Sequence, residues 1–354
     1  MLKLIHSADI HLGSKMEAKL PKDKADERKA EVRSSFSRML EYAKREGVRA
    51  VLLSGDVFDS DRPLKKDKEF FYSVVRNNPD VDFLYLRGNH DSLESYVEYG
   101  LDNLKTFTRE WGKYTYGDVD IYGVEMAAEN ALSLYATLKT DAARKNVVML
   151  HGQVGETAGV DKVHLSRLRD KNIDYLALGH IHSYSEEKLD ERGRYAYSGC
   201  LEGRGFDELG EKGFVLLEIG EKIESRFIPH SQRKIEEFRV DITGTADAYQ
   251  AYQRVRAHIK CDKKDLVRVT LVGDIDYDNE TLAGDLETYL SADYYFVSVK
   301  DKSLKKFDVE ALAGDISLRG EFIRTVLTDP QYDEEHKRRM ISIGLKALGG
   351  REVE

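Results

Sequence analysis

The sequence predicts an α/β fold, a four-layer α-β-β-α sandwich followed by a small α/β unit and C-terminal helices. Three observations carry this. Short apolar runs bounded by glycine recur through the first half and read as fully buried strands. Stretches with helical spacing separate the first three of these runs, so those strands are largely parallel. Shorter strand-like segments joined by turns come next and supply a second sheet packed on the first.

Taken in order, the apolar run at residues 2–8 ends in Asp9 and His11, and that at 50–54 ends in Gly55 and Asp56. The run at 83–86 ends in Gly88, Asn89, His90 and Asp91. The run at 147–150 ends in His151, and that at 175–178 ends in Gly179, His180, Ile181 and His182. Between them, residues 31–46 carry Phe36, Leu40 and Ala43 at helical spacing. Segments 118–125, 195–200, 213–219 and 224–229 read as the strands of the second sheet, which closes a first domain at residues 1–232. Residues 233–302 alternate strand-like IEEFRVDI, LVRVTLV and YYFVSV with helical stretches at 246–259 and 280–290, a separate small α/β domain. The remainder, 303–354, is helical. Phe322, Ile323, Val326 and Leu327 share one face; Asp329-Pro330 breaks the pattern; Met340, Ile341, Gly344, Leu345 and Leu348 resume it. These apolar faces need something to cover them.

Composition sets limits. The two cysteines, Cys200 and Cys261, are too few for a disulfide framework and lack CxxC spacing, so both read as packing residues in a reducing compartment. No apolar run reaches membrane-spanning length and the opening MLKLIHSADIHLG is unlike a signal peptide, so a soluble cytoplasmic protein with no membrane partner is expected. The net charge of −9 has the wrong sign for a protein that holds nucleic acid through its overall field, although carboxylates loaded with divalent cations become locally positive.

Parallel strands of an open α/β sheet present their ligands at the carboxyl ends, so residues far apart in sequence are expected to meet at one edge. The residues gathered there are carboxylate, amide and imidazole, the donor set of a site for two divalent ions with one bridging carboxylate. Asp9 and His11 are two apart, as are His180 and His182, and alternate residues of an extended chain project to the same side. Asp9, His11, Asp56 and His182 are assigned to one ion; Asp56, Asn89, His151 and His180 to the other, with Asp56 bridging. A water between the ions would be the nucleophile. His90 is left without a metal to bind. Next to Asp91, which could orient it and favour its protonated form, it is the candidate to protonate a leaving oxygen.

A single strand-end His or Asp usually caps a turn, and that reading holds for His6, His164, His230, His258 and His336. It does not hold for five histidines that each follow a strand in the company of Asp9, Asp56 and Asn89. The segment at 14–29 mixes cations and acids and reads as a solvated loop or, alternatively, as a nucleic-acid contact through Lys15 and Lys19, with Arg62 in a similar position after the Asp56 turn. No GxxxxGK[ST] occurs, and Gly199, Gly203 and Gly205 read as turn glycines.

The ordered motifs DxH (Asp9, His11), GDxxD (Gly55, Asp56, Asp59), GNHD (88–91), HG (His151, Gly152) and GHxH (179–182) resemble the calcineurin-like metallophosphoesterases. Within that superfamily, KLIHSADIHLGS, GDVFDSDRP and YSGCLEGRGFDELGEKGF resemble the SbcD-type DNA repair exonucleases, close to a YhaO-like bacterial branch. The resemblance spans about residues 1–230. It implies manganese, homodimers, DNA cleavage as exonuclease and single-strand endonuclease in double-strand-break repair, a small α/β cap over the site, and C-terminal helices that bind an SMC-like ATPase of the SbcC type. Asp59 departs from the histidine that archaeal and eukaryotic members carry there, so duplex contacts made by that histidine do not transfer. Ser60, Asp61 and Asp91 stand where the superfamily's protein phosphatases have Arg-Gly and Glu. The competing readings are a phosphodiesterase or phosphatase for small molecules, insensitive to salt, and an ATPase-docking protein in which catalysis is secondary.

Overall fold

A computed structural model describes residues 1–16, 20–92, 100–131, 133–277, 280–305 and 313–348. It divides into two compact units, Met1–Ile235 and Glu236–Glu354.

In the first unit, β1 (Leu2–Ser7), β2 (Ala50–Ser54), β3 (Asp82–Leu86) and β4 (Leu104–Thr106) pair in parallel. Every residue of β2 and β3 is buried, which is why they read as continuous apolar runs rather than alternation. One face packs on α1 (Lys22–Glu46) and α2 (Lys65–Arg76), through Phe36, Met39, Leu40, Phe71 and Val75. The other face packs on a second sheet.

That second sheet is built from β5 (Gly112–Tyr116), β6 (Val119–Gly123) and β7 (Lys145–His151); then, after a two-residue parallel pair, β8 (Gln153–Val154) with β9 (Lys162–Val163), from β10 (Tyr175–Gly179), β11 (Ser185–Lys188) and β12 (Arg194–Tyr197). Its order is β11-β12-β10-β7-β6-β5. Leu52 and Leu84 of one sheet share a core with Val147, Met149 and Ala177 of the other. The layer outside the second sheet is thin, a four-residue α3 (Leu134–Thr137), a 3-10 turn (Leu165–Arg167) and loops, which bury Leu134, Leu165 and Leu168.

Three sequence expectations change. First, β13 (Gly213–Ile219) and β14 (Ile223–Pro229) do not enter the second sheet; they extend the first, antiparallel, with β13 beside β1. There they cover the edge of β1 that would otherwise lie open. Second, α1 begins at Lys22, so the second half of the segment at 14–29 is not loop but helix. The charged run hides a buried face in which Arg28 pairs with Glu31 and Glu202. Third, the C-terminal helices Leu318–Thr328 and Glu334–Leu348 partly cover each other, with Ile323, Val326 and Ile341 buried between them.

The second unit holds a three-stranded sheet of β15 (Ile235–Asp241), β16 (Leu266–Val272) and, after β17 (Asp274–Ile275), β18 (Phe296–Asp301), with β17 paired to β19 (Leu304–Lys305). Helices α4 (Ala248–His258) and α5 (Leu282–Leu290) close its core through Val255, Leu286 and Leu290. Among the described residues, no helix is long and apolar enough to cross a membrane.

Candidate active site

The five ligand-bearing strand ends come from both sheets, with β1, β2 and β3 from one and β7 and β10 from the other, and they converge because the two sheets face each other. The approach is set by backbone conformation. Asp9, His11 and Asp56 all have φ of 51°, and His180 has φ of 102°. These left-handed residues are costly for side chains larger than glycine and cluster at functional sites. Asp9 and His11 therefore do not reach the site by alternation along an extended chain, as their spacing suggested. Each sits at a twist just past β1, held by Asp9 N donating to Gly55 O at 3.0 Å and His11 N to Asp56 O at 3.0 Å.

Glycine makes the crowding possible. A Cβ on Gly55 would lie 2.2 Å from His151 Nδ1, and one on Gly88 would lie 2.1 Å from Asp56 Oδ1.

All seven proposed ligands meet. Asp9 accepts from His180 N at 3.0 Å and so ties the end of β1 to the end of β10. Asn89 Oδ1 lies 2.9 Å from His151 Nε2 and 3.1 Å from His180 Nδ1. Asp56 Oδ2 is 3.4 Å from His151 Nε2 and 4.0 Å from His11 Nε2, while Asp56 Oδ1 accepts from His90 N at 2.9 Å. Donor atoms of Asp9, His11 and His182 fall within 4.8 Å of one another, as do those of Asp9, Asp56 and His151. Asp9 is thus common to these two groups, and Asp56 lies within reach of both His11 and His151.

The charges are those of a site built around cations. Burial pushes the Asp9 carboxyl up to about 7. Burial also works against Asp56, yet the hydrogen bond and charge of His151 outweigh it and hold that carboxyl well below the usual range. His151 in turn is held protonated up to about 9 against its own burial, chiefly by Asp56. Protons on buried groups here balance carboxylates that divalent ions would balance instead.

The nitrogen orientations agree with this. His151 Nδ1 lies 2.9 Å from Ser54 O and donates to it, so the nitrogen facing Asp56 and Asn89 is Nε2, whose proton a divalent ion would displace. His11 Nε2 and His182 Nε2 face each other at 3.2 Å. Two imidazole nitrogens aimed at one place, next to two buried carboxylates, fit a borderline divalent cation and nothing apolar.

His90 is exposed, with its ring 5.1 Å from that of His11 and its Nδ1 3.3 Å from Asp59 O. Asp91 does not orient it. The Asp91 carboxylate is buried and accepts from Val57 N, Phe58 N and Gly88 N at 3.0 to 3.3 Å, locking the Asp56 turn to the Asn89 turn. Burial pushes Asp91 up to about 6. Lys15 and Arg62 are exposed, and Lys19 lies outside the described residues.

Sequence reasoning gave Asp59 no structural role and missed three further polar residues around the site, Arg204, Glu208 and Lys212. Glu208 Oε1 is 2.6 Å from His182 Nδ1, Arg204 bridges Glu208 and Asp59, and Lys212 Nζ donates to His182 O at 2.9 Å. Arg204, Glu208 and Lys212 sit in the YSGCLEGRGFDELGEKGF stretch, where glycines dominated the reading; the only local signal is the Arg-x-x-x-Glu spacing.

A family model described as calcineurin-like phosphoesterase matches residues 2–184. The DNA double-strand break repair protein Mre11 of Sulfolobus acidocaldarius is 22% identical over 371 residues, covering 97% of this chain and 94% of that one. A Bacillus subtilis protein named Uncharacterized metallophosphoesterase YhaO is 30% identical over 244 residues, 62% of this chain and 57% of its own. One subunit of the nuclease SbcCD of Rhodobacter capsulatus is 25% identical over 306 residues, 69% of this chain and 73% of its own.

Proposed function

The chain belongs to the calcineurin-like phosphoesterase family and is a phosphodiester hydrolase, and from that premise we propose that it is a DNA nuclease of double-strand-break repair, an exonuclease that also cuts single strands internally. The observation that carries this reading is the meeting of Asp9, His11, Asp56, Asn89, His151, His180 and His182 at the facing ends of two sheets. In this reading Asp9, His11, Asp56 and His182 hold one ion, and Asp56, Asn89, His151 and His180 hold a second, with manganese in both places. When bound, the two ions would make a water nucleophilic near neutral pH and neutralise charge on the scissile phosphate.

The chain's own residues do the rest. Ser54 O and Glu208 fix the ring orientation of His151 and His182. Asp91 holds the Asp56 and Asn89 turns together, so that ligands from β2 and β3 stay in register. His90 donates Nδ1–H to Asp59 O and, as the imidazolium, gives its Nε2 proton to the leaving oxygen as the phosphodiester opens, ending neutral. Lys15 and Arg62, both exposed, contact the DNA backbone, with Lys19 assigned to the same role. The part at 233–302 acts as a cap and 303–354 as the segment that binds an SMC-like ATPase; one relative is itself named as part of a multi-chain nuclease, which supports a partnered assembly, here built on a homodimer.

The test is manganese-dependent release of nucleotides from single- and double-stranded DNA, with a phosphodiester dye in parallel. Asp56→Ala is expected to lose both activities, and His90→Ala to lose about 10²- to 10⁴-fold in rate while keeping its metal. Cleavage of the dye but never of DNA, with or without an ATPase partner, would leave a small-molecule phosphodiesterase, the reading that the net charge of −9 favours.

A further inference from the structure

We propose that Glu208, Arg204 and Asp59 are positioning residues that lock two ligand histidines of one metal position from the outside, an inference that rests on the metal-dependent reading above. The contacts form a closed chain. Glu208 Oε1 accepts from His182 Nδ1 at 2.6 Å. Arg204 donates to that same oxygen through Nε at 2.9 Å and Nη2 at 2.7 Å, and its backbone N donates to Glu208 Oε2 at 2.6 Å. Arg204 Nη1 then reaches Asp59 Oδ1 at 2.8 Å, across 145 positions of sequence. Asp59 Oδ1 lies 3.1 Å from His11 Nδ1, a close contact outside hydrogen-bond geometry. The chain therefore starts on one histidine of the facing pair and ends on the other.

Its chemistry matches what such histidines need. A ring whose Nδ1–H is held by a carboxylate presents Nε2 as a lone pair and cannot rotate, and the Nε2 atoms of His11 and His182 are the pair that face each other at 3.2 Å. Arg204 supplies the second constraint. The Asp59 carboxylate lies close enough to His11 and His90 to serve as a ligand in its own right. The guanidinium donates to one carboxylate oxygen of each acid, which fixes both side chains, and the three groups together keep a net negative charge that favours a cation within. An ordinary Arg-x-x-x-Glu surface staple would need neither burial nor the distant Asp59, yet Glu208 is 3% exposed and the Arg204 side chain 14%. Lys212 fastens the same histidine's carbonyl at 2.9 Å.

Two measurements on the full chain test this. In metal-free protein labelled with ¹⁵N-histidine, His182 is expected to be locked with its proton on Nδ1, and Glu208→Ala to release that tautomer. In a calorimetric manganese titration, Glu208→Ala and Arg204→Met should weaken one of the two binding steps about 10- to 100-fold and leave the other unchanged. Glu208→Gln, whose amide oxygen still accepts from Nδ1, should recover most of the loss and guards against a variant that merely folds poorly. Two binding steps equal to wild type in both Glu208→Ala and Arg204→Met would overturn the positioning role. Equal weakening of both steps would do the same, since it would mark a general structural defect. Wild type that takes up no manganese would instead overturn the metal-dependent reading, and that result is visible before any variant is compared.

Discussion

His6 shows how burial decides the meaning of a histidine at the scale of one residue. It lies inside β1, three residues before Asp9, and its position there gave it no ligand role. The structure buries it fully, with Nε2 3.1 Å from Leu178 O and Nδ1 2.9 Å from Tyr175 Oη, so it is neutral with its proton on Nε2. Burial lowers its pKa to about 3. Between that value and the unfolded value near 6.5, the unfolded chain binds a proton that the native one refuses, so stability falls as pH drops through this window. The contribution is up to about 1.4 kcal/mol per pH unit. His6→Gln keeps a donor for Leu178 O but cannot titrate; urea midpoints at pH 7 and pH 5 should therefore differ less in the variant than in wild type. An equal acid slope would show that His6 is not buried neutral. The site residues were legible at this scale because each ligand type stands directly behind a recognisable strand. Glu208 and Arg204 were not, because the partners that tie them to the site are 26 and 145 positions away and the Arg-x-x-x-Glu spacing alone reads as a surface staple.

At the scale of elements, α1 is anchored by charge as well as by apolar packing. Arg28 is 1% exposed, donates to Glu202 Oε2 at 3.0 Å and to Gly203 O at 2.9 Å, and pairs with Glu31; Ser35 Oγ and Gln232 N complete Glu202 Oε1. Arg28→Ala would leave buried Glu202 without its cation and Glu31 with Arg233 alone, and is expected to cost about 3–5 kcal/mol, read as a loss of chemical denaturation midpoint. A loss under about 1 kcal/mol, the range of exposed ion pairs, would refute the buried network. The C-terminal helices give a case where two effects oppose. Gly344→Ala gains about 1 kcal/mol of helix propensity, but the new Cβ would lie 2.1 Å from the Phe322 ring. Overpacking of about 1–3 kcal/mol should win, so hydrogen exchange in Leu318–Thr328 is expected to quicken. Slower exchange would mean that the ring gives way at no cost.

At the scale of the whole molecule, the two units differ in what holds them. The candidate ligands all lie in Met1–Ile235, and none in Glu236–Glu354. Ions that bind only the native first unit stabilise it by about 2.7 kcal/mol at one hundred times their dissociation constant. Removing metal with a chelator should therefore lower the melting temperature of that unit and leave protection of β16 and β18 in hydrogen exchange unchanged. A uniform loss across both units would contradict this separation. If the substrate is DNA, cleavage should also weaken steeply between roughly 50 and 200 mM salt while hydrolysis of a small dye does not, because phosphate contacts release counterions. Equal salt response for the two substrates would count against DNA. The sequence by itself determined which segments are buried strands, and that ligand-type residues stand at their carboxyl ends, because apolar runs, glycines and the residues after them are local and survive any arrangement. Only the tertiary structure decided that β7 and β10 belong to a different sheet from β1, β2 and β3, and that β13 and β14 cover the β1 edge. It also decided that Asp9 and His11 arrive through left-handed backbone rather than strand alternation, and that Arg204 links the two acids behind His11 and His182. Sheet membership, backbone twist and buried ion pairing depend on partners far away in sequence, and those are settled only when the two sheets close on each other.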